Sequence, residues 1–385
     1  MSPHIVVMAH NRPASLERLL RSATAADVAA GTDLLISVDP GGDLQAEVEA
    51  VARSVEWLCG ELEVRIADRP LGLVAHFEAL GDDAARRGDF VLLEDDLEVG
   101  PGFHDWSVQA LDRYRAEDRV AGISLNALRF NGFTALPFTP MLDGSDAFFA
   151  QVPWYQGMVF TAQWWKRWRG FDVSGEADTT DLPSDYSKLG SEEWFGDMAR
   201  YLASSGRTFV FPRRSHSTNH GEVGVHFDRR SAWFQVPVEQ SSATWRLPDL
   251  EDSGARYDTW LEFDIGLLRQ LVDGLPQGLV VDLTGQRRTA HRLPDSDGLW
   301  TLTTNRVQSF EQSWGTARQP LEANVIAGEP GTGVHLSMAA EVRLDRWSLL
   351  SADAARRTQS AHGQPRGIRG SVVDAVVRRF PRGWR

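Results

Sequence analysis

The chain has 385 residues, of which 42% are hydrophobic and 24% charged, and its formal net charge at pH 7 is -13. These values predict a folded protein with a full core, built as one large domain plus an extension or as two domains. The acidic balance argues against a nucleic-acid partner, because phosphate backbones require basic surfaces. The single cysteine, Cys59, and a sequence without a signal-peptide or membrane-span pattern predict a cytoplasmic protein.

Strand and helix patterns alternate along the first hundred residues. Strand-like runs are expected at residues 4–9, 34–38, 62–66 and 90–93, and helical apolar spacing follows each of the first three. This alternation predicts an α/β fold with a mostly parallel sheet of Rossmann type and helices on both faces. Such sheets bind ligands beyond the carboxyl ends of their strands, so the loops after these strands are expected to converge on one edge.

Three consecutive carboxylates, Glu94, Asp95 and Asp96, follow the fourth strand. Hard cations such as Mn²⁺ and Mg²⁺ prefer oxygen ligands, and they commonly bind through one or two carboxylates while substrate phosphates fill the remaining positions. The triplet therefore predicts a metal-binding strand end. A solvated acidic turn is the alternative interpretation.

The middle of the chain departs from this regular alternation. Residues 126–160 are rich in Phe, Pro, Gly and Asn and are expected to form irregular loops. The Trp-rich segment 164–168 predicts a helix, with its tryptophans either near a substrate crevice or in the core. Residues 209–227 begin as an apolar strand and continue as a polar loop with two glycines and three histidines. We interpret this loop as a lid that excludes water from a site.

The C-terminal third predicts a smaller α+β extension over residues 241–350, whose role the sequence does not reveal. Its expected strands lie at residues 279–283, 299–303 and 323–327, after a helix around 257–272. Residues 351–385 form a basic tail in which apolar side chains between Val372 and Phe380 share one helical face. A short basic amphipathic helix is typical of a peripheral membrane contact at the inner leaflet, although a disordered or core-docked terminus fits equally.

The motifs as a set resemble N-acetylglucosaminyltransferase I and its relatives, which are inverting glycosyltransferases of the GT-A fold. The resemblance extends over roughly residues 4–230 and implies a GT-A domain at residues 1–240. Bacterial proteins with this pattern resemble enzymes that build surface glycans. The residues that carry the resemblance are Arg12, Ser37-Val38-Asp39, His76-Phe77-Glu78-Ala79-Leu80, Leu93-Glu94-Asp95-Asp96-Leu97-Glu98-Val99 and Glu192-Glu193-Trp194.

The resemblance implies that three residues hold the nucleotide of a donor such as a UDP-sugar. Asp39 matches an aspartate that recognises the uracil ring, Arg12 an arginine beside the diphosphate, and His76 a histidine that contacts the uridine. The alternatives are an ordinary turn aspartate before Pro40 and a surface histidine on a helix.

For the acidic triplet, the resemblance implies that Asp96 ligates Mn²⁺ directly, while Glu94 and Asp95 hold the ribose, the sugar or metal-bound water. The polar loop that contains Ser217 resembles a loop that closes on the bound donor. His226 in the same loop is a candidate second metal ligand, since histidine suits Mn²⁺.

The base that accepts the acceptor proton is expected just before Trp194. Inverting transfer needs a carboxylate on the face of the sugar opposite the leaving group. Glu193 is our first candidate and Glu192 the second, whereas the family has an aspartate there. An exposed helix N-terminus, where acidic residues favour the helix dipole, is the alternative.

The predicted protein is thus a metal-dependent glycosyltransferase that moves a hexosyl or N-acetylhexosaminyl group from a nucleotide sugar to a glycan or lipid-linked acceptor. A sugar nucleotidyltransferase would share the sheet and the acidic site, but it should carry a glycine-rich phosphate loop where this chain has His10-Asn11-Arg12-Pro13. A non-catalytic glycan-binding or scaffold protein on the same fold is the other alternative.

Overall fold

The computed structural model describes residues 2–131, 136–172, 182–183, 194–222, 235–285, 287 and 298–343. The chain divides into two compact units. The first comprises residues 1–128, 140–219 and 236–267, and the second comprises residues 129–139, 220–235 and 268–385. The domain boundaries expected from the sequence, at residues 240 and 350, stay predictions.

Strands and helices alternate from β1 to β4, and many of the strands after β6 have only two to four residues. In chain order the elements are β1 (His4–Ala9), α1 (Pro13–Thr24), β2 (Leu34–Val38), α2 (Gln45–Ser54), β3 (Leu62–Ile66), α3 (Leu73–Arg87), β4 (Phe90–Glu94), β5 (Leu97–Val99), α4 (Phe103–Tyr114), β6 (Val120–Ser124), β7 (Phe130–Asn131), β8 (Leu136–Pro137), β9 (Ala147–Ala150), β10 (Met158–Phe160), α5 (Ala162–Arg169), α6 (Trp194–Ser205), β11 (Thr208–Pro212), β12 (Ser217–Asn219), β13 (Arg256–Tyr257), α7 (Ile265–Leu271), β14 (Leu279–Asp282), β15 (Trp300–Thr303), β16 (Arg306–Val307), β17 (Gln312–Trp314), α8 (Glu322–Ile326), β18 (Val334–Met338) and β19 (Val342–Arg343).

The first unit is built on a mixed sheet whose order is β13-β9-β11-β6-β10-β4-β1-β2-β3. The pairs β3–β2, β2–β1, β1–β4, β6–β11 and β9–β13 are parallel, whereas β10 runs antiparallel to both of its neighbours and β9 runs antiparallel to β11. The sheet is therefore mostly parallel, as the sequence predicted.

Helices cover both faces of this sheet. Alternate residues of β1, such as Ile5 and Val7, belong to one buried cluster with apolar residues of α1, α2 and α4. On the other face, Trp165 of α5 contacts Phe90 and Phe160, with ring centroids 5.5 and 5.3 Å away. Strands that are buried on both faces read as continuous apolar runs, which is why β1, β2 and β4 stand out in the sequence. The predicted α/β fold class is confirmed.

The structure decides two sequence-based expectations for the middle of the chain. The expectation of loops over residues 126–160 is wrong for β9 and β10, which are short, fully buried strands of the main sheet. The tryptophans of α5 are core residues, because Trp164, Trp165 and Trp168 are at most 5% exposed. Trp165 packs so closely on α3 that a Cβ atom at Gly81 would lie 2.0 Å from its indole ring.

The second unit combines strands with a short helix, as expected of an α+β extension. Its main sheet has the order β14-β15-β18-β17, in which only the β14–β15 pair is parallel among the pairs described. The expected strand at residues 323–327 is wrong, because α8 occupies this position. Asn324 within α8 is fully buried and bonds to the backbone of Arg318 through both side-chain atoms, which fixes the start of the helix.

Candidate functional site

Charged side chains gather where β1, β2 and β4 end. These strands are parallel neighbours with β1 in the middle, and the register sets Ala9 opposite Val38 and Met8 opposite Glu94. The chain winds from β1 through β2 to β3 on one side and places β4 on the other. The gap between β1 and β4 is therefore a topological switch point, where open α/β sheets bind their ligands.

Arg12 connects the loop after β1 to the acidic turn after β4. Its Nη1 donates to Asp96 Oδ2 at 2.9 Å, and its Nη2 donates to Asp95 Oδ1. Arg12 immediately precedes Pro13, the first residue of α1, and the fixed φ angle of proline suits that position. One guanidinium thus spans two carboxylates that are adjacent in sequence.

Asp95 is the buried member of this pair. Its side chain is 4% exposed, compared with 17% for Asp96 and 30% for Arg12. The backbone N–H of His10 also donates to Asp95 Oδ2, at 3.3 Å. Burial raises the pKa of Asp95 to about 6, while Arg12 opposes the rise and the neighbouring Asp96 adds to it. Burial disfavours the charged form of Arg12, but the two carboxylates outweigh it and raise the pKa of the guanidinium.

Asp39 anchors the loop between β3 and α3. Its Oδ1 accepts the N–H of Leu71 at 2.7 Å and its Oδ2 accepts the N–H of Gly72 at 2.9 Å. Gly72 is the N-cap residue of α3, so a negative charge there also complements the helix dipole. Gly41, with φ of 101°, lets the loop after β2 pass so close to Pro70 that a Cβ would lie 2.9 Å from the proline ring. Whether Asp39 also recognises a uracil stays a prediction.

His76 and His10 connect neighbouring elements at the same edge of the sheet. His76, in the first turn of α3, is 3% exposed, and its Nε2 lies 2.8 Å from Ser37 Oγ on β2. Burial lowers the pKa of His76, against the opposing effect of Asp39. His10 Nδ1 lies 2.8 Å from the carbonyl oxygen of Asp39. His10 and Ser37 had no individual role predicted from the sequence, although both lie close in sequence to predicted site residues.

The acidic turn leads directly into β5, which is one strand of a two-stranded ribbon. β12 pairs antiparallel with β5, so that Ser217 lies opposite Val99. Ser217 is fully buried and its Oγ donates to the carbonyl oxygen of Gln156, which makes it a structural residue in this arrangement. Asn126 donates from Nδ2 to the Ser217 carbonyl at 3.1 Å and accepts Trp154 Nε1 at 3.0 Å. The part of the predicted lid from Ser217 to Asn219 is therefore a paired strand.

Three predicted site residues lie outside the described part of the chain: Glu192, Glu193 and His226. The first side chain described after the two glutamates is Phe195, whose ring lies 5.6 Å from that of Tyr155. Tyr155 stands in the loop before β10, and the register of β10 on β4 directs that loop toward the carboxyl end of β4. The basic tail at 351–385 also lies outside the described residues. No helix in the described part has the length and apolar character to span a bilayer.

The described residues suit a cation that takes few ligands from the protein. Asp96 offers a carboxylate at a strand end and is the more accessible of the acidic pair. Across the described ranges, no three His, Cys, Asp or Glu side chains are arranged to hold a metal ion. Mg²⁺ and Mn²⁺ commonly bind through one or two carboxylates and complete their coordination with substrate phosphates. The donor set therefore fits such an ion only if a phosphate-bearing ligand supplies the other positions.

Comparison with known proteins leaves the family open. No protein-family model and no curated protein match the sequence. Solved structures with a similar fold include residues 1–349 of S. aureus TarS, at 11% identity and a TM-score of 0.37 over 56% of this chain and 60% of that chain. A mannosyltransferase from Pyrobaculum calidifontis, solved with GDP-Man and Mn²⁺, has 15% identity and a TM-score of 0.35 over 55% of each chain.

A third similar structure is a UTP-bound UGPase from Acinetobacter baumannii, at 10% identity and a TM-score of 0.35 over 57% of this chain and 88% of that chain. This chain spans about three fifths of the length of the TarS fragment. Likenesses at these TM-scores identify neither an activity nor a substrate, and the resemblance to N-acetylglucosaminyltransferase I stays a prediction. Fold and site define an α/β protein with an arginine-bridged acidic pair at its switch point.

Proposed function

We propose that this protein is a glycosyltransferase that transfers a sugar from a nucleotide diphosphate, with UDP as the expected nucleotide, to a glycan or lipid-linked hydroxyl. One observation carries the proposal. At the switch-point edge of the sheet Arg12 contacts Asp95 and Asp96, and His10 connects Asp95 with Asp39. Asp39 binds the loop before α3, and His76 of α3 contacts Ser37 of β2. An arginine next to one partly exposed carboxylate, Asp96, suits both charges of a cation–diphosphate complex, because the carboxylate would bind the cation and the guanidinium the phosphate.

In the proposed reaction, an acceptor hydroxyl oxygen bonds to the anomeric carbon as the bond from that carbon to the diphosphate breaks. The diphosphate leaves with the bonding electron pair, and the acceptor proton passes to a carboxylate on the opposite face of the sugar. Arg12 would bind the departing diphosphate, and Asp96 would hold the cation. A bound Mn²⁺ or Mg²⁺ supplies Lewis-acid stabilisation of the charge that develops on the leaving group.

We assign the proton-accepting role to Glu193, with Glu192 as the second candidate. Support comes from Phe195, two residues after Glu193, which contacts Tyr155 in the loop that leads to the carboxyl end of β4.

A binding screen followed by a turnover assay tests the proposed function. Thermal unfolding would be measured with UDP-, GDP- and ADP-sugars, each with and without Mn²⁺, because a ligand that binds only the folded protein raises its stability. We expect one nucleotide sugar to raise the melting temperature, and to do so only with the cation. That donor should then be slowly hydrolysed in the absence of an acceptor.

The same assay separates the two rival functions. Binding without any donor hydrolysis or transfer would favour a glycan-binding or scaffold protein. Formation of nucleoside triphosphate from the sugar nucleotide and pyrophosphate would favour a nucleotidyltransferase, although the three-residue connection from β1 to α1 contains no glycine. No stabilisation by any nucleotide sugar would refute the proposal.

A further inference from the structure

The acidic pair at the switch point already has a counter-cation within the chain. Arg12 donates to both Asp95 and Asp96, so that one positive charge is shared by two carboxylates. The side chains of Arg12 and Asp96 are 30% and 17% exposed, whereas that of Asp95 is 4% exposed, so solvent reaches the cluster at Arg12 and Asp96. A cation that binds Asp96 would therefore lie close to the guanidinium that already donates to Asp96 Oδ2.

We propose that Arg12 is a specificity-determining residue. By binding Asp96 it weakens the binding of free divalent cations there, and it leaves Asp96 when a cation already bound to a nucleotide diphosphate arrives. The inference rests on the proposed function and adds that the cation and the nucleotide diphosphate bind as one complex. Arg12 acts as an internal substitute for the divalent ion in the free protein and as a phosphate ligand in the complex.

Charge and geometry explain the discrimination. A bare dication would have to bind Asp96 within a few ångströms of a guanidinium, which repels it, and it offers Arg12 no new partner. A cation–diphosphate complex offers phosphate oxygens that match the planar fork of the guanidinium, so Arg12 can exchange its single contacts with Asp95 and Asp96 for contacts with phosphate. Of the two ligands, only the complex gives Arg12 a new anionic partner when a cation takes its place at Asp96.

The test measures Mn²⁺ affinity directly, through the loss of the free-ion signal in electron paramagnetic resonance. Arg12→Gln removes the competing charge, and we expect it to bind Mn²⁺ at least tenfold more tightly than the wild-type protein without nucleotide. With UDP present the order should reverse, because the variant lacks the phosphate ligand. Unchanged or weaker Mn²⁺ binding by folded Arg12→Gln without nucleotide would overturn the proposal.

Arg65 provides a matched control on the outer strand β3. It also bridges two carboxylates, with Nη2 2.6 Å from Glu63 and Nη1 3.0 Å from Asp83. Arg65→Gln removes a bridging arginine away from the switch point, where Arg87 still contacts both acids, and should leave Mn²⁺ affinity within twofold of wild type. An equal gain in both variants would mean that any exposed acidic pair binds Mn²⁺, which would also overturn the proposal.

Removing Arg12 leaves a buried carboxylate without its partner, so folding needs its own check. If Arg12→Gln does not fold, Arg12→Lys replaces it: without nucleotide it should bind Mn²⁺ more tightly than the wild-type protein, and equal or weaker binding would overturn the inference. Arg12→Lys, which keeps the charge but cannot span both acids, should fall between wild type and Arg12→Gln. A wild-type protein that binds no nucleotide sugar would refute the proposed function itself, whatever the behaviour of the variants.

Discussion

Protonation of His216 should destabilise the fold at mildly acidic pH. The imidazole is 1% exposed and stacks on Trp106, with ring centroids 5.2 Å apart, while Trp245 packs edge-on at 4.9 Å. Within the described part of the chain, neither ring nitrogen has a hydrogen-bond partner. Burial lowers the pKa of His216 to about 4, because a charged imidazolium would lose its hydration; Glu239 opposes this effect and Arg214 adds to it.

The sign and size of the effect follow from proton linkage. Between the folded pKa of about 4 and the ordinary value of 6.5, the unfolded chain binds more protons than the folded one. The free energy of unfolding therefore increases with pH across this window, and stability is lost as the pH falls. Acidification from neutral pH to pH 5 should cost about 2 kcal/mol through this residue, and acidification to pH 4 about 3 kcal/mol.

His216→Phe isolates this contribution because phenylalanine keeps an aromatic ring between the tryptophans and does not titrate. Urea unfolding, followed by tryptophan fluorescence, would be compared for both proteins at pH 7.5 and pH 5. The wild-type protein should lose about 2 kcal/mol more than the variant, while other titrating groups cancel in the difference. Equal losses in the two proteins would refute the reasoning, since they would mean that His216 is not held neutral by burial.

Four further predictions concern the site, the core and the tail. Asp39→Ala should lower the free energy of unfolding by about 1–3 kcal/mol in a urea titration, because two backbone amides before α3 lose their charged acceptor. Gly81→Ala should cost about 1–3 kcal/mol in the same assay through its clash with Trp165, and unchanged stability would contradict the packing. Glu193→Gln should abolish transfer and spare donor binding in calorimetry; retained turnover would remove the base assignment. Truncation at Gly370 should reduce co-sedimentation with anionic vesicles, and unchanged sedimentation would end the membrane hypothesis.

The sequence predicted the first half of the sheet because β1, β2 and β4 are five- or six-residue apolar runs, each followed by polar residues. The strands β9 and β10 were missed because they have four and three residues and lie among Pro and Gly. Their pairing depends on partners that are distant in sequence, which no local pattern reveals. The segment at 323–327 was misassigned for a related reason, since a five-residue segment that is apolar except for Asn324 fits a buried helix as well as a strand.

For the site, the sequence indicated which residues carry charge but not which of them are partners. Arg12 and the acidic turn are more than eighty residues apart, and only the parallel pairing of β1 with β4 brings them into contact. Asp39 likewise read as a ligand-binding or turn residue, whereas both of its carboxylate oxygens hold the loop before α3. A local pattern reports the type of a side chain, while its partner is set by the register of distant strands.

The same contacts identify which part of the site is able to change partner. The backbone of the acidic turn is held on one side by β1, where the N–H of Asp95 donates to the Met8 carbonyl at 3.0 Å. On the other side the β5–β12 ribbon holds it, and the buried Ser217 secures that ribbon to Gln156. Rearranging this backbone would break several buried hydrogen bonds, whereas moving the Arg12 side chain breaks two, of which the one to Asp96 is partly exposed. The response of the site to an anionic ligand should therefore begin with the arginine.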